Sequence, residues 1–121
     1  MEQNEYTVNE NKLILRNGRI VTFDYPIIEK EVVMIDGLII VTLEKPPKVI
    51  YNNNVFAVNL IGEIVWRISF KKEQLFYQKD NCSFTGPLIN KKGQLVLCNW
   101  CDTAFIVNPQ TGEILDKYPT R

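Results

Sequence analysis

Apolar and polar residues alternate with a period of two along most of the chain, a spacing that predicts short antiparallel strands rather than helices. The runs are Leu13 to Leu15, Arg19 to Phe23, Glu31 to Ile35, Leu38 to Leu43, Val55 to Leu60, Ile64 to Ile68, Pro87 to Ile89, Gln94 to Asn99, Thr103 to Asn108 and Glu113 to Tyr118. Each is rich in Val, Ile, Leu, Phe or Tyr and is bounded by Gly, Asn, Asp or Pro, and no helix longer than about two turns is predicted. Asn17-Gly18 carries the strongest hairpin signal, because both central positions of a type I′ turn need positive φ. Asp36-Gly37 repeats that signal between the next pair of strands.

Several runs are apolar on both faces. In Val55-Phe-Ala-Val-Asn-Leu60, residues 55 and 57 point one way while Phe56, Val58 and Leu60 point the other, so both sides call for burial and stacked sheets are indicated. Two stretches break the pattern. Lys45-Pro-Pro-Lys48 reads as a connection, since consecutive prolines cannot donate to a ladder. Ser69 to Ser83 places Lys71, Lys72, Glu73, Lys79 and Asp80 around Leu75-Phe76-Tyr77, and reads as one short helix or a long connection.

The chain also repeats itself. Asn54-Val-Phe-Ala-Val-Asn-Leu-Ile-Gly-Glu-Ile-Val-Trp66 lies over Thr103-Ala-Phe-Ile-Val-Asn-Pro-Gln-Thr-Gly-Glu-Ile-Leu-Asp116, with Phe56 and Phe105 separated by 49 positions and Gly62 and Gly112 by 50. A strand pair precedes each copy, Glu31 to Val41 in one case and Gly86 to Leu97 in the other. A partial copy, Leu13-Ile-Leu-Arg-Asn-Gly-Arg-Ile-Val21, comes first and corresponds to the second half of the unit. Four antiparallel strands in roughly 40 to 50 residues are the signature of a propeller blade. The expected layout is a single domain, 1–121, with a half blade at 12–26, a blade at 31–69, a connection at 70–83 and a blade at 84–119.

Ile106-Val-Asn-Pro-Gln-Thr-Gly-Glu-Ile-Leu-Asp116 resembles the quinoprotein-type (PQQ-like) β-propeller blade repeat, in which a small residue, Asp, Thr-Gly and Trp recur at fixed spacing. Asn108, Thr111 and Gly112 fall on that pattern, whereas Ile106 replaces the small residue and Asp116 the tryptophan. Ala57, Asn59, Gly62 and Trp66 match it in the other copy, with one residue missing from the turn. The resemblance implies a tight turn between the third and fourth strands, closed by the Asn side chain, and a tryptophan packed between neighbouring blades. Closed propellers need at least four blades, roughly 160 residues, so two and a half copies imply an open or rearranged stack of sheets, or assembly of several chains. Quinone binding in that family needs a complete ring, and no cofactor is expected here.

Composition narrows the chemistry. Among 121 residues there is no histidine, which removes Ser-His-Asp and Cys-His catalysis, HExxH and Cys2His2 zinc sites and an imidazole pH switch. Fourteen basic residues balance fourteen acidic ones, against a surface built mainly for nucleic acid or anionic membrane. The acidic start, Met1 to Glu10, lacks the pattern of a secretory signal, and no run approaches the roughly 20 apolar residues of a membrane span, so a soluble cytoplasmic protein is expected. Three cysteines, odd in number, suit a reducing compartment better than a disulfide framework. Asn81-Cys82-Ser83 spells the glycosylation pattern without the exported context it needs.

Cys98-Asn-Trp-Cys101 is the motif most suggestive of chemistry: a redox dithiol or half a metal site, with Cys82 as a third thiolate. Zinc would require a fourth ligand, and a redox CxxC normally opens a helix, so these residues read instead as buried thiols that pack as small hydrophobes. The acid pairs Glu29/Glu31 and Glu113/Asp116 read as solvated surface. Lys71-Lys72 and Lys91-Lys92, with Phe70, Phe76, Tyr77 and Trp100 nearby in sequence, could build a stacking and phosphate-contacting surface, but lysine doublets in loops are more often solubilising. The glycines are isolated turn residues with no phosphate loop among them. Phe70, Leu75, Phe76 and Tyr77 either plug the core where a further blade would sit or form an aromatic patch of the kind favoured at protein interfaces. The expected function is therefore non-catalytic: a module that binds another protein through Phe70, Lys71, Lys72, Phe76, Tyr77 and Trp100, with an immunity or antitoxin-type protein as one concrete form. Thiol redox or metal binding at Cys98 and Cys101 is the rival from another class, and self-association into a homo-oligomer is a further possibility.

Overall fold

The computed structural model describes residues 5–121. Over these residues eleven strands form three antiparallel sheets, and none closes into a barrel. The first sheet has the order β1 (Tyr6–Asn9), β2 (Lys12–Leu15), β3 (Ile20–Thr22). The middle sheet runs β4 (Val33–Ile35), β5 (Leu38–Thr42), β6 (Val55–Asn59), β7 (Ile64–Arg67), and the last runs β8 (Phe84–Ile89), β9 (Leu95–Asn99), β10 (Thr103–Val107), β11 (Ile114–Pro119).

The expected period-two pattern accounts for the stacking. Leu38, Ile40, Val55 and Ala57 face the last sheet and are buried with Phe84, Leu95, Leu97, Phe105 and Val107. The alternate residues Ile39, Val41, Phe56 and Val58 face the first sheet and are buried with Leu13, Leu15, Phe23 and Ile27. The middle sheet is thus covered on both faces, and every residue of β5 is buried.

The middle and last sheets share their connectivity and their turn chemistry. Asn59 Oδ1 accepts the backbone N–H groups of Ile61 (3.2 Å) and Glu63 (2.9 Å), and Asn108 Oδ1 accepts that of Gln110 (2.9 Å). A bulge interrupts the register beyond each turn, between Ala57 and Val58 in one sheet and between Ile106 and Val107 in the other. The seam between the sheets is built from the same turns. Trp66 Nε1–H donates to the Pro109 carbonyl at 2.7 Å, and its indole lies so close to Gly112 that a Cβ there would stand 2.6 Å from the ring. Asp116, which follows Gly112 at the spacing by which Trp66 follows Gly62, is exposed on the outermost sheet.

Two expectations need correction. The first sheet has three strands, because Tyr6–Asn9 pairs with Lys12–Leu15, whereas only the part from 12 onward was expected to be structured. This segment alternates Tyr6 and Val8 with Thr7 and Asn9, a pattern too short and too polar to register before its partner is in place. The strand expected to start at Glu31 begins at Val33, after a 3-10 turn over Glu29–Glu31. The connection expected at 70–83 carries one 3-10 turn, Lys72–Gln74.

Gly112 and Gly93 have nearly equal φ (+76° and +80°), but a Cβ at Gly93 would meet open space. Gly112→Ala is therefore expected to destabilise the fold by about 1–3 kcal/mol more than Gly93→Ala, the excess being the clash with Trp66. Urea unfolding of the two variants measures the difference, and equal losses would mean that the indole yields freely.

Candidate functional site

The strand directions bring all of the long connections to one end of the stack: 23–32, 43–54, 68–83 and the short β9–β10 turn. The β1–β2 turn joins them there, with the Ile27 N–H donating to the Glu10 carbonyl, while the remaining tight turns lie at the other end. A single buried carboxamide organises the connection end. Asn54 Nδ2 donates to the carbonyls of Leu43 and Phe84, both at 2.9 Å, while its Oδ1 accepts the Phe84 N–H at 2.8 Å. It thereby satisfies both backbone groups of the first residue of β8 and ties the last sheet to the middle one.

Connection 68–83 lies across the same end. Phe70 is half-buried, with its ring 5.6 Å from those of Phe84 and Phe105, and Leu75 is buried beside it; these two plug the core between the sheets. Phe76 and Tyr77 lie toward the β11 edge under cations, with Lys117 Nζ 5.0 Å from one ring centre and the Arg121 guanidinium 4.6 Å from the other. Lys117 also donates to the Gln74 carbonyl at 2.7 Å. Lys72 pairs with Asp80 at 2.9 Å, fully in solvent, and lines a small cleft with Phe70 and Lys79, while Lys71 is exposed. Trp100 stands on the β9–β10 turn toward the β8 edge. The six expected surface residues thus divide among three places. Lys91-Lys92 sits at the opposite end of the last sheet from Lys71-Lys72, so the two lysine doublets share no surface.

The cysteines depart from the sequence reading. Cys82 and Cys101 form a disulfide across 19 positions, which staples the connection to the β9–β10 turn, whereas three free thiols had been expected. Cys101 is engaged with Cys82, so Cys98 and Cys101 are not a dithiol pair. Their strand geometry explains why: Cys101 belongs to the core between the sheets, while Cys98 pairs with Ala104 on the outer face of the last sheet. The remaining free thiol, Cys98, is half-buried, and that burial pushes its pKa above the ordinary thiol value. Among the described residues no group of three metal-ligating side chains comes together. No helix is long and apolar enough to cross a membrane. Of the acid pairs, Glu113 and Asp116 are exposed, and Glu31 abuts Gly86, where a Cβ would collide with its carboxylate.

A cleft of about 400 Å³ opens at the connection end. Leu43, Glu44 and Lys45 form one side, Asn81, Ser83, Phe84 and Thr85 the other, and Trp100 the lip. At the turn end a different surface stands out. Leu60 and Ile61 on the β6–β7 turn and Ile64 and Val65 on edge strand β7 are all exposed, with Ile61 at 56%, and only Gly62 and Glu63 intervene. Leu115 occupies the corresponding place on β11 and is exposed as well. Sequence reasoning missed this rim. Ile64 and Val65 were assigned to a strand, but whether a strand lies at an edge is a property of the sheet order.

Residues 3–118 match the model of the family described as Domain of unknown function (DUF7957), and the chain belongs to that family. No curated protein matches it.

Three outcomes follow from the cysteine and asparagine geometry. Replacing Cys82 and Cys101 by Ser is expected to cost about 3 kcal/mol, the loop-closure contribution of a bridge of this span, measured by denaturant unfolding. In the oxidised native protein one thiol should react with iodoacetamide. Its rate should stay low at pH 8 and climb only above pH 9, because the raised pKa keeps the thiolate scarce at lower pH. Asn54→Ala leaves a buried N–H and carbonyl of Phe84 unpaired and is expected to cost about 2–3 kcal/mol.

Proposed function

We propose that this member of the family is a non-catalytic binding module, two and a half propeller-like blades stacked without closing, that holds another protein against the rim formed by β7 and β11. The observation that carries this reading is the group of exposed apolar residues Leu60, Ile61, Ile64 and Val65 on one turn and its edge strand. A contiguous apolar surface on an unpaired edge strand is costly for a protein that stays alone, because it invites edge-to-edge association. Edge strand β7 keeps one charge, Arg67 at its end, but its first two residues are exposed and β-branched, and Leu115 repeats an exposed apolar residue on the next sheet.

The end of the stack supports a foreign partner over a second copy. Trp66 seals the middle sheet to the last, but the matching position on the last sheet carries Asp116. A carboxylate there suits a terminal face turned to water, as capping units of repeat proteins require, and would be poorly placed beneath a further blade. The repeated Asn turns and the interlocking tryptophan agree with the blade resemblance read from Asn59, Gly62, Trp66, Asn108 and Gly112.

The test uses a photo-crosslinking residue at position 61, with position 48 at the far end as control, followed by binding measurements on the purified partner. Crosslinking should occur from position 61 and not from 48. Ile61→Glu combined with Val65→Lys should weaken binding more than tenfold while changing stability by less than about 0.5 kcal/mol. A partner that ignores the double substitution, or crosslinks only from position 48, overturns the assignment.

A further inference from the structure

We propose that the cleft beneath Trp100 is a binding site for a neutral saccharide of one or two rings, separate from the protein-binding rim. The first argument is unpartnered polarity. Ser83 is only 3% exposed, yet its hydroxyl makes no hydrogen bond to any described residue, and it lines the cleft. The Glu44 carboxylate and the Asn81 carboxamide line the same cleft and are exposed to solvent. Ser83 Oγ also keeps contact with solvent, so a hydroxyl, a carboxylate and an amide all face the cleft with hydrogen-bonding capacity that the protein itself does not use.

The second argument is Trp100, at 70% exposure the most exposed of the large apolar side chains. An indole left in water is unusual, and the backbone that carries this one is held in place. Its backbone N–H donates to the Ser83 carbonyl at 3.0 Å, and the next residue is anchored by the disulfide. Asn54 fixes the backbone of Phe84, next to Ser83, and reaches the Leu43 carbonyl on the other side of the cleft. Both walls are thus set before any ligand arrives, which lowers the ordering cost of binding.

The lining also selects the ligand class. Glu44 and Lys45 cancel in charge, and the other polar groups are neutral, so neither a phosphate-bearing nor a strongly cationic ligand is favoured. A flat apolar face opposite hydroxyl, amide and carboxylate groups matches a sugar ring, which presents C–H groups on one face and hydroxyls around its edge. A volume of about 400 Å³ falls in the range of small-molecule sites.

The experiment is saturation-transfer NMR on the oxidised full chain with maltose, cellobiose and N,N′-diacetylchitobiose, each at about 10 mM, a concentration that reveals even millimolar affinities. Adenosine monophosphate serves as a stacking probe of another class. At least one disaccharide should receive saturation. Trp100→Ala and Glu44→Gln should each reduce its affinity more than tenfold with an unchanged melting temperature, while Ile61→Glu should leave it unaffected. If no disaccharide binds, if only adenosine monophosphate binds, or if Trp100→Ala binds as before, the proposal fails. The rim variant keeps that failure distinct from a failure of the protein-binding reading.

Discussion

The middle sheet is apolar on both faces, and the rest of the molecule answers to that constraint. Ile39 and Val41 cannot be left in water on one side any more than Leu38 and Ile40 can on the other. Burying a side chain of this size is worth roughly 1.5–3 kcal/mol, and a sheet buried on one face only would forgo half of that gain. The first and last sheets are therefore both obligatory. The first can do its work with three strands, because it need only cover Ile39, Val41, Phe56 and Val58.

Apolar contact alone would let the sheets slide, and polar and covalent links remove that freedom. At the turn end the Trp66 indole is seated on Gly112 and hydrogen-bonded to Pro109. At the connection end Asn54 joins the middle sheet to β8, and the Cys82–Cys101 bridge pins the segment between them. The two surfaces given functional readings lie where these links leave groups unused. The cleft opens beside Asn54 and the disulfide, where Ser83 and Glu44 have no internal partner. The rim follows the outer edge strands, whose backbone groups no sheet neighbour claims.

Much of the fold was legible because its signals are local. The Asn and Gly residues of the turns, the alternation in 55–60 and the spacing of Phe56 and Phe105 require no knowledge of what lies across the chain. Tyr6–Asn9 was missed because a four-residue strand is defined by its partner, Lys12–Leu15, and not by its own pattern. Among the expected surface residues, Trp100 was identified as exposed, while Phe70 turned inward to meet Phe84 and Phe105. Both are large aromatics in or near loops, and nothing in their immediate neighbours separates an aromatic that plugs a core from one that projects into solvent.

By itself the amino-acid order determined the all-β class, the strand and turn positions and the stacking of sheets, since each follows from periodicity and from backbone preferences confined to a few residues. Only the tertiary structure decided which cysteines meet, which strands lie at an edge and which polar groups end without partners. Cys98 sits in β9, whereas Cys101, three positions on, sits in the turn beyond it and faces the core, where Cys82 reaches it across 19 positions because a connection folds over the end of the stack. Proximity in a folded chain is set by long-range packing, and the properties that depend on it, disulfide pairing, exposure and unsatisfied hydrogen bonds, exist only once the sheets have come together.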